Sequence, residues 1–312
     1  MDPQESMELL AAAAGEDGRI EGRELAGLNL DGARLEGLSF VGGALGGSFK
    51  GTGFSNCAFE GESLMSSDLS GASFHRCSLK GDVLSGASLE GAVFSYCALE
   101  VPVSRGSRLK KAYFNACVFS GSFVMQSADL SSVVFMDSRF DQAGAMESVL
   151  EFAAFRNCSF ASFRILKSRC AGMQLSGLAV PVFSAAQSEL PQAVFMDSSL
   201  PGAQFMDCVL DGATFSGADL SKAVFARSGA PKANFRGAVM RGADISGLIA
   251  PYADFSRCDF SGANCLGADL SSSNLHRAVG IAVQAAGMKT EGARPTDPAL
   301  AAAEDFRPHF RA

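Results

Sequence analysis

The sequence has few histidines and no tryptophan. Its 312 residues include only His75, His276 and His309, and none of them has the close Cys-His spacing of a zinc site. A catalytic nucleophile needs a positioned base and an orienting partner, which three scattered histidines do not provide. Glycine pairs such as Gly42-Gly43 lack the strand-then-helix context of a phosphate-binding loop. We therefore expect no enzyme activity, no metal site and no cofactor.

Long apolar runs and a leader segment are also missing. No basic-then-apolar segment follows Met1, and no apolar run approaches the length of a membrane-spanning helix. These absences argue against Sec export and membrane insertion. We expect a cytoplasmic protein, with secretion by a Sec-independent system as the alternative.

What the sequence does contain is a period of twenty residues. Three further columns of large apolar residues lie at offsets of five, so the unit is a pentapeptide and four units make one turn. A period of five fits neither the 3.6 of a helix nor the 2.0 of a strand, and its persistence indicates stacked structural units. The main column consists of Phe54, Phe74, Phe94, Phe114, Phe135, Phe155, Leu175, Phe195, Phe215, Phe235, Phe255 and Leu275.

A small residue stands two positions before most of these large residues. The resulting pattern resembles the pentapeptide-repeat family, whose consensus reads Ala-(Asp/Asn)-Leu-X-X. The resemblance implies an all-β fold, a right-handed quadrilateral β-helix of about twelve coils in which each pentapeptide forms one side. The best matches are Ala128-Asp129-Leu130, Ala218-Asp219-Leu220, Ala243-Asp244-Ile245, Ala253-Asp254-Phe255 and Ala268-Asp269-Leu270.

The ends of such a rod need caps, because an open coil recruits other strands. We expect residues 1–24 to form an N-terminal cap containing a short helix from Met7 to Ala14, since Asp2-Pro3 resembles a helix start. The β-helix is predicted over residues 25–275. Residues 276–312 should form a C-terminal cap or a flexible tail, in which Asp297-Pro298 opens a second short helix through Asp305.

Cysteine follows the same period. Six cysteines fall in the small inward position, which predicts a column of buried, reduced thiols. Parallel side-chain vectors disfavour disulfides between them, although the coil spacing is short enough. These residues are Cys57, Cys77, Cys97, Cys117, Cys158 and Cys258.

The repeat is broken in two places. Leu45 to Phe49 is one residue short of a pentapeptide, whereas Val124 to Leu130 is one residue too long, which places an extra residue near Gln126. Each break should shift the corners locally and produce a kink or a bulge.

The column of large residues that contains Leu64, Leu84 and Ile165 is irregular at its small inward position. Glu62 and Asp82 occupy its small inward position, Pro102 follows, and Phe163 and Phe183 stand where small residues belong. Two interpretations are open. Local bulges could turn these side chains outward, because a buried unpaired carboxylate is costly. Alternatively, this side of the rod over residues 62–185 could be a recognition face.

Charge is distributed unevenly. Residues 1–36 carry nine acidic and three basic residues, whereas residues 37–275 carry 20 acidic and 18 basic residues. The coil body is therefore nearly neutral. A basic patch of Arg105, Arg108, Lys110 and Lys111 lies at mid-rod. We include Arg105 and Lys110 in a candidate partner-binding face, which consists of Glu62, Asp82, Arg105, Lys110 and Phe163.

The resemblance implies two non-catalytic functions. The first is a rigid scaffold for a protein partner, as in family members associated with bacterial type VI secretion systems or acting as effectors. The alternative is a mimic of duplex DNA that binds DNA gyrase or topoisomerase through a rod of negative potential. The near-neutral coil body favours the scaffold. We expect no direct nucleic-acid binding, and we expect that a dimer would form through a terminal coil or cap.

Overall fold

The chain winds into a four-sided solenoid of short parallel strands. A computed structural model describes residues 1–21, 25, 27–43, 46–101, 103–280 and 286–305. Two helices, α1 (Pro3–Ala13) and α2 (Pro298–Asp305), lie at the two ends of the described chain. The all-β β-helix with short terminal helices that the sequence predicts is thus confirmed.

Most strands are three residues long, because each side of the solenoid turns after one pentapeptide. In chain order the strands are β1 (Arg19–Glu21), β2 (Leu28–Asn29), β3 (Arg34–Glu36), β4 (Ser39–Val41), β5 (Gly47–Ser48), β6 (Gly53–Ser55), β7 (Ala58–Glu60), β8 (Ser73–His75), β9 (Ser78–Lys80), β10 (Val93–Ser95), β11 (Ala98–Glu100), β12 (Val103–Arg105), β13 (Tyr113–Asn115), β14 (Val118–Gln126), β15 (Val134–Met136), β16 (Arg139–Met146), β17 (Ala154–Arg156), β18 (Ser159–Leu166), β19 (Phe183–Ala186) and β20 (Gln204–Met206).

Every strand pairing is parallel and joins one coil to the next. One sheet runs β1-β4-β7-β9-β11-β14-β16-β18-β19-β20, with β12 also paired to β14; a second runs β3-β6-β8-β10-β13-β15-β17, and β2 pairs with β5. Beyond β20 the same ladders continue as single-residue bridges. One ladder of backbone pairings connects fourteen residues, one per coil, without a gap from Asn29 to Lys289. The number of coils therefore differs slightly from the predicted twelve.

The side-chain pattern explains why five residues make one side. Ala213 and Phe215 both point inward and are fully buried, while Thr214 between them faces outward. The corner before them closes with a hydrogen bond from the Ala213 N–H to the Leu210 carbonyl at 3.0 Å. Gly212 in that corner has φ +62°, the left-handed conformation that glycine adopts without strain.

The phenylalanine column forms two aromatic stacks, Phe54 to Phe155 and Phe195 to Phe255, separated by Leu175. The ring centroids of Phe74 and Phe94 lie 4.4 Å apart with planes 1° from parallel, and those of Phe215 and Phe235 lie 4.9 Å apart. Neighbouring columns meet edge to face, as Phe205 and Phe215 do at 88°. Both geometries are favourable for aromatic quadrupoles. The predicted stacking of Phe54, Phe74 and Phe94 is confirmed.

All nine cysteines are free thiols buried in the core. In the predicted column, the Cys77 thiol donates to the Phe54 carbonyl oxygen one coil earlier at 3.4 Å, and Cys97 bonds the Phe74 carbonyl in the same way. Burial raises the pKa of the Cys158 thiol to about 11. The inward placement of the cysteine column is therefore confirmed.

The two register breaks differ from each other. Leu28 pairs with Gly47 and Ser39 with Ala58, both nineteen residues on, so one coil is one residue short. Leu45, where the sequence places this break, lies outside the described residues. The extra residue is not near Gln126 but between Phe119 and Ser122, where the pairing of β14 with β16 shifts.

The terminal helices are attached by different forces. Asp2 caps α1 in a reciprocal capping box with Glu5, and the helix ends at Ala13. Leu10 of α1 is buried in the core. By contrast, α2 has no buried residue. Within the described ranges, no helix combines the length and apolar character needed to cross a membrane.

Replacing Phe215 by Ala should destabilise the rod strongly, because it removes an inner ring from the stack of Phe195 to Phe255 and leaves a cavity. We expect a loss of about 3–5 kcal/mol in the free energy of unfolding, measured in denaturant melts. Lys222→Ala, at an exposed corner, should change it by less than about 0.5 kcal/mol. Equal losses at the two positions would contradict the inward and outward assignments.

The thiols should react only when the coils open. We expect Cys57, Cys77, Cys97 and Cys117 to resist a thiol reagent in the native protein and to react fully in denaturant, because each is buried. Labelling followed by mass spectrometry measures this directly. Rapid modification of all four in the native protein would show that the column is not in the core.

Candidate functional site

The acidic residues singled out from the sequence do face outward. Glu62 is exposed and Asp82 half-buried, while the adjacent Ser63 and Val83 fill the inward positions. In these two coils the repeat thus slips by one residue, which avoids burying a carboxylate. Pro102, the next member of this column, lies outside the described residues.

The structure connects two of the candidate residues and leaves two apart. The Ser85 hydroxyl donates to the Asp82 carboxylate and accepts the Arg105 backbone N–H at 2.9 Å. The Arg105 side chain extends to Gln126, with its Nε 3.3 Å from the amide oxygen. Glu62 and Lys110 are exposed, and among the described residues neither forms a side-chain hydrogen bond or ion pair with this group.

Phe163, the fifth candidate, is in the core. Its side chain is 2% exposed, and its ring centroid lies 5.3 Å from those of Phe155 and Phe160. Phe183 is equally buried. The expectation that Phe163 belongs to a surface face is therefore wrong, because the coil widens to hold the ring instead of turning it outward.

That widening reshapes one side of the rod. Strands β14, β16 and β18 run for eight or nine residues, since the corner that elsewhere separates two sides is extended. Gly202 and Lys222 occupy this corner in later coils and have positive φ, whereas the equivalent Gln142 and Ser162 do not. Large rings at Phe123 and Phe163, in place of the usual alanine, need the extra width that an unfolded corner supplies. Ala143 between them stays extended because its strand pairs in register with both neighbouring strands.

The outward side chains of these long strands line a shallow groove of about 350 Å³. We call it the β14–β19 groove. Small residues dominate its floor, where a Cβ added at Gly144 would lie 3.2 Å from Val124. Apolar side chains form most of its wall. The groove is lined by Ser122, Val124, Gln142, Ala143, Gly144, Ala145, Met146, Ser162, Arg164, Ile165, Leu166, Ser184 and Ala186.

A single cation lies in this groove. Arg164 is exposed, and in the described part of the chain no carboxylate oxygen lies within 4.0 Å of its guanidinium. The nearby Arg139 is different, because it pairs with Asp141 at 3.5 Å. The groove thus offers an apolar floor with one unneutralised guanidinium.

Sequence reasoning located this region but not its surface. Phe163 and Phe183 correctly indicated an irregular side of the rod. Nothing in the repeat pattern distinguished Val124, Gly144 and Arg164 from other outward positions. The signal for the groove was the coincidence of a bulky inward residue with a missing corner glycine, as in Ser162-Phe163. Elsewhere in the described residues, no cluster of three His, Cys, Asp or Glu side chains could hold a metal ion.

Comparison with known proteins supports the repeat assignment. A family model described as pentapeptide repeats matches residues 188–227 and 240–277 in eight copies. No curated protein matches the chain. Both matched segments lie in the regular coils, beyond the groove.

Several solved structures resemble the chain at low identity. A pentapeptide-repeat protein of the Arabidopsis thaliana thylakoid lumen is 24% identical with a TM-score of 0.25, and the match covers 30% of this chain and 59% of that protein. QnrB1, a plasmid-mediated fluoroquinolone resistance protein, is 15% identical over 79% of this chain and 95% of its own, with a TM-score of 0.36.

HetL, a pentapeptide-repeat protein involved in heterocyst differentiation regulation in Nostoc sp. strain PCC 7120, is 17% identical over 94% of both chains, with a TM-score of 0.27. These similarities are too weak to carry an argument about function. The family model matches two segments of regular coils, and the coil ladder continues with the same twenty-residue spacing through the unmatched coils, so this chain is similar to pentapeptide-repeat proteins.

Proposed function

We propose that this chain is a non-catalytic scaffold that binds a protein partner through the β14–β19 groove. The observation that carries the proposal is Arg164, a guanidinium without a carboxylate partner among the described residues, set in a groove whose other walls are mainly apolar. Such a combination is typical of binding surfaces, where apolar contact supplies affinity and one charge supplies orientation.

The rod is suited to presenting a fixed surface. Each groove strand is hydrogen-bonded to the coil before and the coil after it, as β16 is to β14 and β18. Because both strand edges are already paired, a partner cannot add a strand there. The partner must instead place its side chains against the outer face of these strands. The small residues Gly144 and Ser184 leave room for those side chains.

The chemistry of the groove defines the expected occupant. We propose a peptide segment that combines apolar side chains with one carboxylate. The carboxylate would pair with Arg164, whose planar guanidinium accommodates two oxygens at once. The apolar side chains would contact Val124, Met146 and Leu166. Contact with this set removes apolar surface from water on both partners.

Residues chosen from the sequence flank this site. Arg105 reaches Gln126 at the end of β14, and Asp82 is joined to Arg105 through Ser85. We propose that Asp82 and Arg105 contribute at the rim of the interface. Glu62 and Lys110 are outward-facing and stay candidates for peripheral contacts.

Mimicry of DNA is the less favoured function. A DNA mimic needs sustained negative potential along the rod, whereas residues 37–275 carry 20 acidic and 18 basic residues. The proposed groove is also cationic at Arg164. Gyrase subunits, like components of a type VI secretion system, are therefore candidates for the partner to be tested and not consequences of the geometry.

Reversing the charge in the groove should weaken partner binding without unfolding the rod. We expect Arg164→Glu to reduce the affinity for a partner identified by cross-linking at least about tenfold, because a carboxylate then faces a carboxylate. Leu166→Gln should weaken binding through lost apolar contact. Affinity is measured by titration with the purified partner, and thermal melts check that both variants fold.

The matched control is Arg156→Glu, at an exposed position outside the groove lining. It should bind as the wild type does. Unchanged affinity for Arg164→Glu, or an equal loss for Arg156→Glu, would exclude the groove as the docking site. Potent inhibition of gyrase supercoiling by the wild type that falls steeply with salt would replace the scaffold proposal with DNA mimicry.

A further inference from the structure

A second cavity, of about 280 Å³, lies at the other end of the rod between the last coils and α2. The twenty-residue spacing stacks Arg236, Ser256 and His276 in one column along its wall. Its composition is unlike that of the β14–β19 groove, because polar and charged side chains dominate. The cavity is lined by Arg236, Ser256, Arg257, Asn274, His276, Arg294, Pro295, Asp297, Leu300 and Glu304.

The cations of this region already converge on one oxygen atom. Glu304 Oε2 lies 2.7 Å from Arg257 Nη2, 3.0 Å from Arg277 Nε and 3.3 Å from His276 Nε2. The hydrogen bond from Arg257 holds the pKa of the Glu304 carboxyl below its usual range. Because α2 has no buried residue, this ionic cluster is its main attachment to the coils. These three groups are thus already occupied by the Glu304 carboxylate.

His276 is oriented by its surroundings. The backbone N–H of Asp297 donates to His276 Nδ1 at 3.2 Å, so that Nε2 is the nitrogen that faces Glu304. The His276 side chain is only 9% exposed. Its own backbone N–H donates to the Asn274 side chain at 3.2 Å, which fixes the turn beneath it.

Three polar groups in the cavity have no protein partner of their own. Arg236 and Arg294 line it, yet no carboxylate oxygen among the described residues is within 4.0 Å of either guanidinium. Ser256, a residue that is 5% exposed, also lines the cavity, and its hydroxyl makes no hydrogen bond within the described part of the chain. The three arginines of the lining outnumber its two carboxylates, Asp297 and Glu304.

We propose that this cavity binds a phosphate-class oxyanion. Guanidinium groups bind phosphate oxygens in pairs, and a serine hydroxyl without a protein acceptor can donate to a third oxygen. Arg236 and Arg294 would hold the oxyanion, with Ser256 beneath it and Glu304 kept in place by Arg257 and Arg277. The ligand is either free phosphate or a phosphoryl group carried by a larger molecule. This proposal is independent of the docking groove, which lies on other coils.

Titration of the whole protein with inorganic phosphate at constant ionic strength tests the site. We expect saturable binding of one phosphate per chain with a Kd of about 1 mM or tighter. Calorimetry and the line broadening of the phosphorus NMR signal both measure this binding. The Arg236→Gln, Arg294→Gln double variant should bind at least about tenfold more weakly, and Ser256→Ala should also bind more weakly. Arg156→Gln, which alters an exposed arginine outside the cavity, should leave binding unchanged.

Competition distinguishes the two sources of the oxyanion. A phosphoserine peptide that displaces phosphate and binds more tightly supports a phosphoryl group on a partner, whereas a peptide that fails to compete supports free phosphate. A non-saturating response, or a response equal in the wild type and the double variant, would mean an adventitious ion only and would overturn the proposal. Thermal shift alone is insufficient, because excluded phosphate stabilises proteins generally.

Discussion

The hydrogen-bond ladder between successive coils is the constraint on which the rest of this structure depends. It fixes the coil at about twenty residues, since the unbroken line from Asn29 to Lys289 tolerates only one short and one long step. Identical phases must then lie above one another. Stacked phenylalanine rings and buried thiols are consequences of that register, and so is the sensitivity of the whole rod to a single inward residue.

The same constraint explains the two candidate sites. An oversized residue such as Phe163 is accommodated by extending a corner, and the ladder extends the same corner in the paired coil that carries Ala143. The exterior of that corner becomes the β14–β19 groove. At the C-terminal end, the ladder places Arg236 below His276, and α2 closes the space beside them with Glu304. Function in this rod is thus expected where the repeat is irregular or where it ends.

Much of the fold could be predicted from the sequence, because the twenty-residue period equals the length of one coil and so identifies the residues that stack. Phe74 and Phe94 had to be neighbours once four pentapeptides made a turn, and α2 was predicted with its observed start and end. The position of the extra residue between Phe119 and Ser122 could not be predicted. Gly121 lies there with a positive φ, and a glycine of this conformation occurs both at corners and in bulges. The direction of Phe163 was also ambiguous, as periodicity states which phase a residue occupies but not whether the coil will widen for it.

The structure of one variant would show whether bulky inward residues produce the groove. Ser162→Gly combined with Phe163→Ala gives this coil the Gly-Ala pair found at Gly202-Ala203. We expect residue 162 then to adopt a positive φ, as Gly202 does at +69°, so that β18 divides at a corner and the groove becomes shallower. A crystal structure in which β18 stays extended and the groove keeps its shape would contradict this expectation.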